Sequence, residues 1–148
     1  MPLFIQEGLH MFNLEYHLDH LSRVAGTSDH RESRHNALQE MALYLDKKNA
    51  HFITPTLVMI NALAATYERD EPRHIACANL QKIAEINFGA IEKAALGLES
   101  HIESERDVVA RDQLVNAQDY LHDTFPESVR RPTRREKVAR SLAKAIFR

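Results

Sequence analysis

The hydrophobic residues of this chain recur three and four positions apart over most of its length. That is the period of helices with one face turned to a core. One stretch departs from it. From Thr54 to Arg69, the residues Leu57, Val58, Met59, Ile60, Ala62, Leu63, Ala64, Ala65 and Tyr67 leave the segment apolar nearly all round. A helix without a polar face belongs inside a protein or a membrane. This one is shorter than the roughly 20 apolar residues that span a bilayer. The pattern therefore predicts a central helix enclosed by the others, with Thr54 as its cap and Pro55 as its first helical residue.

Around it the periodicity predicts four more body helices. Residues 3–24 form a long first helix with two apolar stripes, one of Leu3, Phe4, Met11, Leu14, Leu18 and Leu21, the other of Ile5, Leu9, Phe12 and Tyr16. Two stripes call for contacts on two sides, so this helix is either wedged in the bundle or shared with a second copy. Ala25-Gly26-Thr27-Ser28 is the break. A capping pair, Asp29 and Glu32, opens the second helix, which turns Leu38, Met41, Ala42 and Leu45 inward and runs to about Lys48. Pro72 opens a fourth, with Ala76, Leu80, Ile83 and Ala84 inward. Gly89 kinks or ends it, and the pattern resumes with Ile91, Ala94, Ala95 and Leu98 until a break at Glu103-Ser104-Glu105. The fifth helix carries Ala110, Leu114, Ala117 and Leu121 and stops at Phe125-Pro126. Thr133 and Glu136 then cap a terminal helix to Arg148. No segment alternates as a strand would. The expected fold is all-α, a single bundle of about five helices over 1–125, followed by a linker and a basic amphipathic helix over 126–148.

Composition agrees and adds one asymmetry. A chain of 148 residues is the size of one domain and buries enough surface to fold without a metal or disulfide. Four glycines and five prolines are too few for the many turns of an all-β protein. The single Cys77 excludes an internal disulfide and fits a reducing compartment. Residues Met1 to Glu7 lack the basic region of a signal peptide, so a soluble, cytoplasmic protein is expected. The net charge of −2 hides an acidic body and a basic tail. Residues 130–148 hold eight Lys or Arg against Glu136 alone, a local charge of +7, and residues 1–129 carry 11 cations and 20 carboxylates, or −9.

The tail is the first candidate site. In helical projection Val138, Ala139, Leu142, Ala143, Ala145 and Ile146 share one face, and Arg134, Lys137, Arg140, Lys144 and Arg148 share the other. Such a helix docks on an acidic protein partner, on nucleic acid, or on an anionic membrane. The competing expectation is that its apolar face packs on the chain's own bundle. In the first helix His10, Asn13, His17 and His20 form a polar line at steps of three, four and three, with Glu7 one turn before His10, and Glu7, His10, His17 and His20 suit an alternative metal site or a pH-sensitive surface. Without a ligand they are simply polar residues flanking a buried stripe.

Three shorter patterns complete the set. An acidic residue stands three before a histidine at Glu7/His10, Glu32/His35, Glu71/His74 and Asp119/His122. In a di-iron four-helix bundle such pairs project into the interior. His101 and Glu105, four apart, resemble one fragment of a hemerythrin-type site whose other ligands are not in place. Arg69-Asp70-Glu71-Pro72-Arg73-His74 resembles the Arg-polar-x-x-x-His motif of HEPN-type ribonucleases, which are small, α-helical and often dimeric. That resemblance covers six residues and implies that Arg69 and His74 meet at a dimer cleft and cut RNA. Arg69 would hold a phosphate and His74 would move a proton. The motif departs from the family in its mid-chain position and in the Pro72 of its spacer. Cys77, among Ile75, Ala76 and Ala78, reads as a small core residue. No Gly-rich phosphate loop, nucleophile elbow or zinc framework occurs, and no cofactor is expected. The leading expectation is a non-enzymatic helical interaction protein, an adaptor or regulator. A protein partner and self-association through the first helix accompany it. The alternatives are a HEPN-like ribonuclease and a metal-binding bundle of di-iron type.

Overall fold

The computed structural model describes residues 13–128 together with Leu142, Ala145 and Ile146. Six α-helices fill the continuous part: α1 (Leu14–Thr27), α2 (Arg31–Ala42), α3 (Pro55–Tyr67), α4 (Asp70–Ile86), α5 (Phe88–Ser104) and α6 (Val108–Thr124). Short 3-10 turns, Lys47–Phe52 and Pro126–Ser128, follow α2 and α6. The fold is all-α, with no strand among the described residues.

Helix α3 is the axis of the bundle. Thr54 Oγ1 accepts the Leu57 N–H at 3.2 Å and so starts the helix as its sequence predicts. Helices α1, α4, α5 and α6 pack around it, while α2 lies against α1 and α4. Leu57, Val58, Ala62 and Ala65, at most 1% exposed, share one side of α3, while Met59, Ile60 and Leu63 on the other side are half-buried and Tyr67 is 61% exposed, so the helix is central but not enclosed on every side as its sequence predicts. Leu38 and Met41 of α2, Leu80 and Ile83 of α4, Ile91 and Leu98 of α5 and Leu121 of α6 close the core. Gly26 lets α1 approach α3: a Cβ there would stand 2.6 Å from Ile60 Cδ1.

Several boundaries differ from expectation for local reasons. Helix α1 continues through Gly26 to Thr27, and Ser28 ends it by donating its N–H to Val24 O at 3.1 Å. The Asp29/Glu32 capping box is not formed. His30 occupies the cap position of α2 without a side-chain bond, and its own N–H goes to Ser28 Oγ at 3.2 Å. Helix α2 stops at Ala42, which is exposed, and Lys47 and Lys48 begin a 3-10 turn instead of ending the helix. Asp46 caps that turn through Asn49 N–H. Helix α4 starts before Pro72, at Asp70, whose φ of 58° lies in the left-handed region that Asp tolerates better than most residues. The expected fourth helix is two. Asn87 separates α4 from α5, accepting Ala90 N–H on its side-chain oxygen at 3.2 Å and donating its Nδ2 to Ala50 O at 2.8 Å. The break thus belongs to Asn87 rather than to Gly89. The break before α6 and the stop at Phe125-Pro126 fall where the sequence places them, with Asp107 capping α6 through Ala110 N–H at 2.9 Å.

Candidate functional site

Within the basic C-terminal segment, Leu142, Ala145 and Ile146 are helical and exposed, Leu142 at 58% and Ile146 at 72%. The sequence assigns all three to the apolar face. The described bundle leaves these three side chains open, and Val138, Ala139 and Ala143 of the same face lie outside the described residues. Arg134, Lys137, Arg140, Lys144 and Arg148, and the Thr133/Glu136 cap, lie outside the described residues.

The α3–α4 corner holds two ion pairs, Arg34–Glu68 and Arg31–Asp70. Glu68 is 6% exposed and takes a forked contact from Arg34 of α2: Nη2 to Oε1 at 2.8 Å, Nε to Oε1 at 3.1 Å and Nε to Oε2 at 3.3 Å. Arg34 Nη1 also donates to Ser28 O at 2.9 Å, so one guanidinium ties the end of α1 to the end of α3. The hydrogen bond with Glu68 raises the Arg34 pKa above its ordinary value, against the opposing effect of burial. A cleft of about 420 Å³ opens beside this pair, lined by Ile60, Leu63, Tyr67 and Gln113 among others. One turn back on α2, Arg31 Nη2 donates to Arg69 O at 2.8 Å and to Asp70 Oδ2 at 3.3 Å. Two arginines of α2 thus pin Glu68, Arg69 and Asp70, the corner that contains the left-handed residue.

The ribonuclease-like motif begins at this corner. Arg69 is the N-cap residue of α4, and its contact with Arg31 is made by its carbonyl oxygen. Its side chain is exposed and lines a depression with Arg31, Tyr67, Glu68 and Asp70. His74 is exposed in the opening turns of α4 and is not among the residues lining that depression. Arg69 and His74 are both open to solvent.

The histidine line divides. Glu7 and His10 lie outside the described residues. His17 hydrogen-bonds with Glu40 Oε2 of α2, and its ring meets that of Tyr44 edge-on, with centroids 5.6 Å apart. His20 is exposed. His17 therefore acts as a contact between α1 and α2. Of the acid-x-x-His pairs, Glu32, His35 and Glu71 line one depression with Arg31, Asp70 and Pro72, and His35 Nδ1 is buried there without a hydrogen-bond partner among the described residues. Glu32, Glu71, His74 and Asp119 are exposed. A di-iron bundle needs these ligands inside. Among the described residues, no group of three or more His, Cys, Asp or Glu side chains is placed to hold a metal ion. Glu105 and His101 part company as well: Glu105 ends α5 and accepts Asp107 N–H on Oε1 at 3.1 Å.

The interior is polar at one point that sequence reasoning passed over. Asn79 Nδ2 of α4 donates to Asn61 Oδ1 of α3 and to Leu38 O of α2, both at 3.0 Å. Asn61 Nδ2 donates to Leu57 O at 2.8 Å. Both amides are buried and so must be bonded. An asparagine inside an otherwise apolar helix was the available signal for Asn61. Cys77 is part-buried, as expected of a small packing residue. Burial, and then a hydrogen bond with the Cys77 thiol, pushes the Tyr120 phenol up to about 12.

Comparison of the chain with protein-family models, curated proteins and solved structures finds no match. Among the described residues, no helix is long and apolar enough to cross a membrane.

Proposed function

We propose that this chain is a non-enzymatic interaction protein, an adaptor or regulator, whose acidic helical body presents a basic amphipathic C-terminal segment to an acidic protein partner. The observation that carries this is the exposure of Leu142 and Ile146 on the apolar side of that segment. Residues four apart on a helix are neighbours on its surface. Covering a Leu or Ile side chain recovers about 1.5–3 kcal/mol. The surrounding Arg and Lys residues add attraction that salt weakens. A protein fits better than nucleic acid because a protein surface can cover the aliphatic side chains of Leu142 and Ile146, and better than an anionic membrane because residues 13–128, with 11 cations and 19 carboxylates, are repelled by an extended sheet of phosphates. Tyr16, from the second stripe of the N-terminal segment, is 69% exposed and supports a further contact there, including one with a second copy.

The test is partner capture by the full chain, by a chain lacking 130–148, and by Leu142→Asp/Ile146→Asp, each at low and high salt. Capture is expected to fall with both variants and with salt. Capture unchanged by either variant refutes the proposal.

A further inference from the structure

We infer that the cleft beside the Arg34–Glu68 pair is a binding site for a small organic ammonium ion with an apolar body. The site is separate from the C-terminal contact proposed above, and either can stand without the other.

The cleft lies along the side of α3 that its neighbours leave open. Ile60, Leu63 and Tyr67 follow one another at steps of three and four on α3, so they form one apolar strip along it. The end of α1 and Gln113 of α6 stand beside the strip. The volume of about 420 Å³ falls in the range of small-ligand pockets, roughly 300–1,000 Å³.

Charge sits at one end of the strip. Glu68 lines the cleft although its side chain is only 5% exposed. Its Oε1 takes two bonds from Arg34, at 2.8 and 3.1 Å. Among the described residues, Oε2 takes a single long one, at 3.3 Å. A carboxylate oxygen accepts two hydrogen bonds, so this buried atom keeps an acceptor position open. Asp29 adds an exposed carboxylate to the lining, close enough for its charge to act on Arg34. Two carboxylates and one guanidinium leave the lining at a net charge of −1.

An ammonium group answers that excess. It carries the missing charge and donates three hydrogen bonds, which suits Glu68 Oε2 and Asp29. A carboxylate or phosphate ligand would add charge of the sign already in excess. The apolar body of the ligand leaves water by lying on Ile60 and Leu63. Tyr67, exposed at 61%, adds an aromatic ring, whose face attracts a cation.

The experiment titrates the isotope-labelled full-length chain with 2-phenylethylammonium and follows the backbone amides by NMR at neutral pH. The neutral 2-phenylethanol and the anionic 3-phenylpropionate serve as probes of similar size. Saturable shifts are expected at the amides of Ser28, Asp29, Ile60, Leu63, Tyr67 and Glu68. The ammonium is expected to bind about fivefold or more tightly than the alcohol, and the carboxylate weakest, as an exposed charge pair allows. Asp29→Asn should weaken the ammonium about threefold and leave the alcohol unchanged. Tyr67→Ala should weaken both. Both variants alter exposed side chains, and circular dichroism checks that each is folded. The inference is overturned by shifts that do not saturate or that centre elsewhere. It is overturned equally by an alcohol that binds as well as the ammonium, or by an Asp29→Asn chain that binds the ammonium as the parent does. A lysine side chain offered as Nα-acetyl-lysine amide and binding more tightly than 2-phenylethylammonium also overturns it, because the ammonium then belongs to a protein.

Discussion

Glu68→Ala removes the carboxylate that neutralises Arg34 and leaves the guanidinium at the α3–α4 corner with Ser28 O as its remaining acceptor. Breaking a fully buried ion pair by deleting one partner costs about 3–5 kcal/mol. Here the Glu68 side chain is 5% exposed but that of Arg34 is 19% exposed, and the cleft beside them lets water reach the abandoned guanidinium. The cost is therefore set lower, at about 2–3 kcal/mol, or roughly 5–12 °C in melting temperature for a domain of this size. Arg34→Met/Glu68→Leu removes both charges and fills the space with hydrocarbon, so it is expected within about 1 kcal/mol of the parent. Urea denaturation of the parent, the two single variants and the double variant gives the coupling energy directly. The sign of the pH effect follows from the raised Arg34 pKa. A group whose folded pKa is raised contributes fully below its ordinary unfolded value, which for a guanidinium lies far above neutral pH, and loses that contribution only above it. The coupling should thus be flat in pH across the neutral range. A Glu68→Ala cost below about 0.5 kcal/mol, or a double variant as damaged as the sum of the singles, would falsify the assignment of this pair as the clamp between α1 and α3.

Two further outcomes follow from the interior. Asn79→Leu takes the donor from Asn61 Oδ1 in a site closed to water, so it should cost about 1–3 kcal/mol in urea denaturation, and Asn61→Leu added to it should recover part of the loss. Phenolate absorbance should show one of the four tyrosines, Tyr120, ionising last, near 12, and Cys77→Ala should bring it earlier. Between its ordinary value of 10.0 and about 12 the unfolded chain has released this proton and the native chain has not, so the residue lowers stability as pH rises through that window. Four tyrosines titrating together would refute the Tyr120–Cys77 contact.

Much of the fold was written in the order of residues. A helix packed against four others announces itself when nearly every side is apolar, and Thr54-Pro55 marks its start whatever surrounds it. The inward positions Leu80, Ile83, Ile91 and Leu98 likewise follow from a period that the backbone imposes. The split at Asn87 was less legible because its side chain is held by Ala50, 37 positions away. Capping was legible at Thr54 and not at Asp29, where Ser28 Oγ accepts the His30 N–H and the cap position falls one residue later.

The sequence by itself determined the helical class, the central position of α3 and the separation of an acidic body from a basic tail, because periodicity, burial of a faceless helix and summed charge are local or additive properties. Only the tertiary structure decided that Glu68 meets Arg34, that Asn61 meets Asn79, that His17 serves Glu40 instead of its neighbours, and that Leu142 and Ile146 stay open. Each of these depends on which residues distant in the chain arrive within 3–4 Å of one another, and that distance is set by how whole helices pack.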